Sequence, residues 1–175
     1  MFRRILIANR GEVVSRVMRT AKRMGIEVVA VTTDADKNLS FLEEADEVIN
    51  IGGTRAYLDG PVIIEACRAA RCTAIHPGWG FLSENPTFSA QCEAAGITFI
   101  GPAGATMRQM ADKASAREVM AKMGVPTIPG SEGPLPTAEV ASRVADQIGY
   151  PVLLKAVSGG GGRGMRIVRE ATDLE

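Results

Sequence analysis

Short apolar runs alternate with stretches of helical periodicity along the first part of the chain, and this alternation limits the possible folds most. An apolar run over 4–8 is followed by a stretch of helical spacing over 12–24 and then by a β-branched run over 26–31. The same pattern continues as strand 48–51, helix 62–70, strand 73–75, helix 86–95 and strand 97–100. Apolar strands that alternate with amphipathic helices predict a parallel sheet with helices on both faces. We therefore expect a doubly wound α/β domain over 1–102.

The character of the chain changes after this domain. A helix is predicted over 107–123, and the following residues up to 136 are rich in Gly and Pro, as connecting segments are. We expect a helical linker over 103–130 and a second subdomain over 131–175. That subdomain would contain, in order, helix 137–148, strand 151–156, a glycine cluster over 158–164 and strand 165–169. Two strands and one helix bury too little surface for an independent core, so this subdomain is expected to be partial.

Charge and cysteine content exclude several classes of protein. Lys and Arg number 20 and Asp and Glu number 20, so the chain has no overall field to attract nucleic acid or an anionic membrane. The three cysteines form no C-x-x-C pair, which predicts buried, reduced thiols and neither a disulfide framework nor a zinc site. The sequence shows no signal peptide and no apolar run of about 18 residues. We expect a cytoplasmic protein whose partner is a small molecule or another protein.

The glycine cluster is the first candidate site, because consecutive glycines let backbone N–H groups approach phosphate oxygens. A Walker A loop and a dinucleotide fingerprint both lead into a helix, whereas a strand-like alternation follows here. The remaining interpretations are a glycine hairpin that folds over a nucleotide and a passive linker. Lys155, just before the cluster, is either an ordinary solvated side chain or a phosphate contact. Lys113 follows a potential N-cap, Asp112, and is a plain surface residue unless that helix faces the nucleotide.

Two further segments follow predicted strands, at the edge of the sheet where ligands bind in open α/β folds. One is 76–85, which begins with the only histidine of the chain and continues as HPGWGFLSEN. A lone histidine in such a turn is either a hydrogen-bonded structural residue or part of a binding site. The other segment, Asn9 to Glu12, lacks G-x-G-x-x-G, which disfavours an ordinary NAD-binding domain and leaves a structural turn or a functional corner.

Taken together, these segments resemble the biotin carboxylase family. Four stretches match that family in order and spacing: 5–12 (ILIANRGE), 76–85 (HPGWGFLSEN), 110–113 (MADK) and 155–165 (KAVSGGGGRGM). The resemblance implies a Rossmann-like, pre-ATP-grasp domain followed by a truncated ATP-grasp lid. It also implies the reaction of the family, in which ATP and bicarbonate give carboxyphosphate, which then carboxylates carrier-bound biotin, with Mg²⁺ neutralising the phosphates.

The resemblance also assigns residues and partners. On the ATP side it implies Lys113, Lys155, Gly160, Gly161, Gly162, Gly164 and Met165. On the biotin and substrate side it implies His76, Trp79, Gly80 and Glu84. The implied partners are a biotin carboxyl carrier protein or domain and a carboxyltransferase. A homodimer is a further possibility, for which the arginines of helix 12–24 could supply a surface, although such a row is more often a solvated face.

Two departures from the family pattern bear on activity. The family usually has tyrosine where this chain has Trp79, so the aromatic ring is kept but the phenol hydroxyl is lost. In the family, the carboxylates that bind Mg²⁺ and the groups that handle bicarbonate and biotin lie beyond residue 175, so we expect no catalytic and no metal residue within this chain and no carboxylase activity from the chain alone. The alternatives are another ATP-grasp ligase, such as a carbamoyl-phosphate synthetase domain, and a noncatalytic dimerising fragment.

Overall fold

The computed structural model describes residues 1–111, 113–131, 133–156 and 164–174. They form two compact units, Met1–Gln109 and Met110–Glu175. The linker predicted over 103–130 and the subdomain boundaries around it stay a prediction. Two helices occupy much of that stretch, α4 (Gly104–Ala111) and α5 (Lys113–Lys122), and the single helix predicted over 107–123 corresponds to this pair.

The first unit is built on a parallel sheet of five strands, as the sequence predicts. Its strands and helices are, in chain order, β1 (Arg4–Ile7), α1 (Glu12–Arg23), β2 (Glu27–Thr32), β3 (Glu47–Asn50), α2 (Gly60–Ala69), β4 (Ala74–His76), α3 (Pro86–Ala94) and β5 (Thr98–Phe99). The strand order is β3-β2-β1-β4-β5, and every neighbouring pair is parallel. β1 therefore lies at the centre, and the order reverses there.

Side chains on the two faces of this sheet form two separate apolar cores. Leu6 of β1 faces a core that includes α2 and α3, whereas its neighbours Ile5 and Ile7 face a core that includes α1. Successive residues of a strand point to opposite faces, so a strand covered on both sides must be apolar throughout. The continuous apolar runs in the sequence are thus a consequence of the doubly wound packing, in which both faces of the sheet are covered.

Helix ends in this unit are set by local chemistry. Asp59 caps α2 by accepting a hydrogen bond from the Val62 N–H, and Asn85 caps α3 by accepting from the Thr87 and Phe88 N–H groups. Both helices also carry Pro in the first turn, where the missing N–H has no intrahelical partner to lose. These caps fix where each chain segment leaves the sheet edge and enters a helix.

Two short 3-10 helices, Ser40–Glu44 and Thr54–Leu58, lie in loops for which the sequence suggested no element. Each contributes apolar side chains to the cores, notably Phe41 and Tyr57. All three cysteines are buried free thiols, as expected. Across the described ranges, no helix combines the length and the apolarity that crossing a membrane requires.

The second unit contains one more helix, α6 (Ala138–Ile148), and an antiparallel strand pair, β6 (Val152–Lys155) and β7 (Met165–Val168). Thr137 caps α6 through the Val140 N–H, as the sequence suggested. A 3-10 helix, Ala171–Leu174, packs against α6. Among its described residues only Ala141, Ala145 and Val168 are buried, which agrees with the expectation of a partial subdomain.

Candidate ligand site at the carboxyl edge of the sheet

The carboxyl ends of β1, β2 and β4 meet at one edge of the first unit. The segments that leave this edge begin at Asn9, Thr33 and Pro77, and they contain most of the polar side chains buried in this unit. Because parallel strands end together, residues distant in sequence are brought side by side here. The geometry of the edge is therefore the first place to look for a ligand site.

Asn9 ties the first of these segments to the third. Its Nδ2 donates to the Pro77 carbonyl at 2.7 Å and to the Trp79 carbonyl at 2.9 Å, while its Oδ1 accepts from the Arg10 N–H at 2.9 Å. The side chain is 2% exposed, so each of these bonds is buried or partly buried. The sequence left open whether the segment from Asn9 to Glu12 is a structural turn or a functional corner, and these hydrogen bonds favour the structural turn.

Gly78 lets Asn9 come this close. Its φ is +68°, and a Cβ at this position would lie 2.5 Å from Asn9 Nδ2 and 2.6 Å from Val13 Cγ1. Only glycine satisfies both the left-handed backbone and the lack of space. Glycine at this position therefore lets Asn9 hold the backbone of the HPGWG segment close to the end of β1.

His76 is the last residue of β4, and its imidazole is half-buried. Nδ1 accepts a hydrogen bond from the Gly78 N–H at 3.0 Å, which leaves the proton of the neutral ring on Nε2. Burial, and then the positive charge of Arg16, lower the pKa of His76 below its ordinary value. The ring is thus neutral at pH 7, and the bond to Gly78 fits the structural interpretation of this residue. A role at the substrate stays a prediction.

The segment after Gly78 presents an aromatic side chain at the surface. The indole of Trp79 is 71% exposed, although Asn9 fixes the carbonyl of the same residue. Gly80 has a φ of +69° with open space around it, and Glu84 is exposed before α3. A fixed backbone that displays an exposed ring is the arrangement expected of a recognition loop.

A buried carboxylate that the sequence analysis did not assign organises the rest of this edge. Asp36, 4% exposed, accepts from Arg10 Nη2 at 2.8 Å and from the Tyr57 hydroxyl at 3.1 Å, with Thr33 Oγ1 at 3.4 Å. Burial, followed by the charge of Asp36, raises the pKa of Tyr57 to about 12, so the phenol stays protonated and donates. The sequence did contain a signal for this contact, because Asp36 follows β2 and Arg10 follows β1, and both strands end at the same edge of the sheet.

This network also reaches the Trp79 segment. The rings of Tyr57 and Phe81 stack with centroids 5.2 Å apart and an interplanar angle of 26°. Phe81 has a φ of +43°, which a non-glycine residue adopts only when its surroundings compensate the strain. The stack supplies such compensation, so Asp36 and Tyr57 fix the far end of the loop whose near end is fixed by Asn9.

The second unit contains the other candidate residues. Lys155 ends β6 and pairs in register with Met165, the first residue of β7, and both are exposed. Beyond that pair, the Ala156 N–H donates to the carbonyl of Gly164, whose φ is +72°. The described arms therefore form the hairpin that the sequence analysis left as an option, and the strand after the cluster excludes a Walker A loop and a dinucleotide fingerprint.

Residues 158–163 of the glycine cluster, including Gly160, Gly161 and Gly162, lie outside the described residues. Lys113 is the first residue of α5, and its side chain also lies outside the described part. Their predicted ATP contacts stay predictions. In the described ranges, no group of three or more His, Cys, Asp or Glu side chains could hold a metal ion, so these residues do not fit Mg²⁺ by themselves.

Comparison with known proteins gives one family model for each part of the chain and relatives that span both parts. Residues 1–107 match the family model described as "Biotin carboxylase, N-terminal domain", and residues 112–175 match "Carbamoyl-phosphate synthase L chain, ATP binding domain". The biotin carboxylase of Pseudomonas aeruginosa is 49% identical over 99% of this chain and 40% of its own length.

Solved structures agree with these matches. A biotin carboxylase from Campylobacter jejuni in complex with β,γ-ATP superposes with a TM-score of 0.91 at 49% identity, over 100% of this chain and 40% of that one. The biotin carboxylase domain dimer of the Hydrogenobacter thermophilus 2-oxoglutarate carboxylase, bound to MgADP, ADP and bicarbonate, gives a TM-score of 0.87 at 47% identity, over 99% of this chain and 39% of that one. The chain thus spans about 40% of the length of the relatives it matches.

Proposed function

Because the chain belongs to the biotin carboxylase family, we propose that it forms the amino-terminal part of an ATP-dependent biotin carboxylase. In this reaction bicarbonate attacks the γ-phosphate of ATP to give carboxyphosphate and ADP, and the carboxyl group then passes to biotin on a carrier protein or domain while phosphate is released. The observation on which the proposal rests most is the HPGWGFLSEN loop, fixed at both ends by Asn9 and by the Asp36–Tyr57–Phe81 contacts. Which acyl acceptor the longer enzyme serves is decided in a carboxyltransferase.

The ATP side of the proposal belongs to the second unit. Lys155 is an exposed cation at the open end of an antiparallel hairpin, directly before the glycine cluster. An ammonium group in that position suits the α or β phosphates as a point charge, and glycine backbone N–H groups suit the phosphate oxygens. We assign the predicted ATP contacts to Lys113, Lys155 and the hairpin residues from Gly160 to Met165.

The substrate side belongs to the first unit. Trp79 presents a large exposed ring where the family usually has tyrosine, so it keeps the apolar contact surface but donates only through its indole N–H. His76 is neutral and uses Nδ1 internally, which leaves Nε2–H as its donor. With Gly80 and Glu84, these residues form the proposed biotin and substrate side.

The isolated 175-residue chain is proposed to be inactive. Mg²⁺ neutralises the phosphates in the reaction of this family, and it needs oxygen ligands that the described residues do not bring together. The chain also spans only about 40% of its relatives. We therefore place the metal ligands and the groups that handle bicarbonate in the remaining part of the longer protein.

A carrier protein or domain, a carboxyltransferase and a second copy of the chain are the proposed partners. A groove of about 610 Å³ in the first unit is lined by apolar residues, by Thr20 and His76, and by three arginines of α1, Arg16, Arg19 and Arg23. We propose this face of α1 as the self-association surface. Analytical ultracentrifugation tests it, since the chain should sediment as a dimer and Arg19→Glu as a monomer. We also propose a cytoplasmic location, as the sequence analysis predicted.

A chimera tests the proposed function directly. Residues 1–175 would be joined to the remaining carboxyl-terminal part of the Pseudomonas aeruginosa relative, and ATP hydrolysis would be followed with and without biotin and bicarbonate. We expect hydrolysis that depends on both in the chimera and none in the 175-residue chain. A folded chimera without activity, or biotin-dependent hydrolysis by the short chain, would contradict the proposal.

A matched pair of variants locates the ATP contact. Lys155→Gln in the chimera should abolish most of the activity, because it removes the positive charge that contacts the phosphates of ATP. Lys37→Gln, on an exposed loop of the first unit, should leave the activity unchanged.

The runner-up function is that of a carbamoyl-phosphate synthetase domain, which the family model matching residues 112–175 favours. Ammonia-dependent formation of carbamoyl phosphate, with no effect of biotin, would support that alternative.

A further inference from the structure

The loop from Trp79 to Phe81 belongs to a closed cycle of contacts at the carboxyl edge of the sheet. Each member touches the next through a hydrogen bond, an ion pair, a ring stack or the chain itself, in the order Trp79, Asn9, Arg10, Asp36, Tyr57, Phe81 and back through Gly80. The members come from the segments after β1, β2 and β4 and from the 3-10 helix Thr54–Leu58. Because the cycle is closed, the Trp79 backbone is held from both directions along it.

Asp36 uses both of its carboxylate oxygens in this cycle. Oδ1 accepts from Arg10 Nη2 at 2.8 Å, and Oδ2 accepts from the Tyr57 hydroxyl at 3.1 Å. Its backbone is fixed as well, since its N–H donates to the Thr33 carbonyl and its carbonyl accepts from the Leu39 N–H. A buried ion pair adds little stability compared with apolar packing of the same volume. The orientation that Asp36 gives to Arg10 and Tyr57 therefore explains this carboxylate better than stability does.

Phe81 is the residue at which the cycle turns the loop. The Gly80 carbonyl accepts from the Ser83 N–H at 2.9 Å, so Phe81 is the first central residue of a tight turn. Its φ of +43° is a strained value for a side chain of this size. The stacked ring of Tyr57 is 2% exposed, whereas Phe81 is 41% exposed. Tyr57 thus supports the loop from inside and has almost no surface with which to contact a substrate itself.

We propose that Asp36 and Tyr57 are positioning residues of the biotin side, which act on Trp79 through Phe81; this assignment rests on the proposed function. The Tyr57 ring holds Phe81 in its left-handed conformation, and Asp36 fixes the direction of that ring through the phenol hydroxyl. The ATP contacts are assigned to the second unit. Loss of either positioning residue should therefore impair the use of biotin and leave the binding of ATP as it was.

Fluorescence of the native chain gives the first test, because Trp79 is its only tryptophan. Time-resolved anisotropy separates local motion of the indole from tumbling of the whole molecule. We expect a larger amplitude of local motion in Tyr57→Leu and in Phe81→Leu. A smaller increase is expected in Tyr57→Phe, which keeps the stack and loses only the bond to Asp36. Phe41→Leu is the matched control, since Phe41 is a buried aromatic residue of the other 3-10 helix and faces the opposite core.

Steady-state kinetics of the chimera gives the second test. Tyr57→Leu should lower kcat/KM for biotin by about tenfold, because a small displacement of a group at the substrate reduces the rate strongly. The KM for ATP should stay within about twofold of the wild-type value, since no ATP contact is changed. Tyr57→Phe should recover most of the loss. In the Phe81→Leu background, Tyr57→Leu should have no further effect on biotin, because both variants remove the same stack. Phe41→Leu should leave both constants unchanged.

The proposal is overturned if Tyr57→Leu leaves the local motion of Trp79 and kcat/KM for biotin unchanged, or if the KM for ATP rises as much as that for biotin. Equal effects of Phe41→Leu would also overturn it, since lost stability alone would then explain them. A wild-type amplitude in Tyr57→Phe would overturn the role of Asp36.

A second variant covers a failure to fold. If Tyr57→Leu does not fold, Phe81→Leu decides, because Phe81 is partly exposed and its truncation breaks the same stack. Wild-type local motion of Trp79 in that variant would overturn the proposal. A wild-type chimera without biotin-dependent activity would contradict the proposed function, and the anisotropy of the short chain would still decide whether Tyr57 positions Trp79.

Discussion

The two units of the chain bury their apolar side chains to very different degrees. In the first unit, strands β1, β2 and β4 are buried on both faces, and helices cover them on each side. In the second unit, β6 alternates between half-buried and exposed residues, whereas β7 is exposed except for the buried Val168. Leu153, Met165 and Ile167 are among the exposed apolar side chains. The first unit has a core of its own, and the described part of the second does not. A ligand edge built on the first unit is therefore fixed, whereas the hairpin of the second depends on further contacts.

Truncating one apolar side chain in each unit should give the largest contrast. Leu6→Ala removes a fully buried side chain at the centre of the sheet and should lower the free energy of unfolding of the first unit by about 3 kcal/mol. Ile167→Ala removes a side chain that is 56% exposed and should change the free energy of unfolding of the second unit by less than about 0.5 kcal/mol. Urea unfolding followed by Trp79 fluorescence for the first unit and by far-UV circular dichroism for the whole chain measures both effects. Similar effects of the two variants would remove the contrast.

Adding a methyl group at a glycine compares crowding at the ligand edge with crowding in the second unit. Gly78 and Gly124 have φ values of +68° and +75°, so alanine costs a similar backbone strain at each, about 1–2 kcal/mol. At Gly124 the added Cβ meets open space, whereas at Gly78 it meets Asn9 and Val13. Gly78→Ala should therefore cost distinctly more and should shift the Trp79 emission, as thermal melts and spectra would show. If Gly78→Ala proves no more destabilising than Gly124→Ala, the close contact with Asn9 is not a constraint.

Neutralising the buried carboxylate tests how firmly the far end of the loop is held. Asp36→Asn weakens the contacts to Arg10 and Tyr57 and should cost about 1–3 kcal/mol, because charged hydrogen bonds in a buried site are lost. Asp34→Asn is the control, since Asp34 is exposed and its carboxylate accepts from the exposed Asn50 side chain. Chemical unfolding gives both values. Equal values for the two variants would mean that Asp36 does not organise the edge.

The smallest expected effect is a pH dependence near neutrality in the first unit, which contains His76. The pKa of His76 is lower in the folded chain than its ordinary value, so the unfolded chain binds the proton more readily. Stability is therefore complete above about pH 6.5 and falls as the pH drops through the ordinary pKa toward the lower folded one. His76→Asn, which keeps an acceptor for the Gly78 N–H, should flatten this slope in melts at several pH values. An unchanged slope would assign the dependence to other groups.

Much of this fold could be predicted from the sequence, because strands buried on both faces must be continuously apolar and the helices between them must be amphipathic. The 3-10 helices around Phe41 and Tyr57 could not, since they depend on packing against distant strands. The sequence placed Trp79 in the loop after β4 but ended that strand one residue before His76. It missed Asp36, because the role of Asp36 depends on Arg10 and Tyr57, which only the fold brings to it. The hairpin around Lys155 was inferred from the strand that follows the glycines.

Hydrogen exchange under native conditions tests the contrast between the units most directly. We expect amides of β1, β2 and β4 to exchange only through global unfolding of the first unit, and amides of β6 and β7 to exchange orders of magnitude faster in the 175-residue chain. In the chimera with a complete carboxyl-terminal part, the β6 and β7 amides should gain protection while those of β1 stay as they were. Equal protection of β1 and β6 in the short chain would contradict the account, because it would show that the second unit is stable without further contacts.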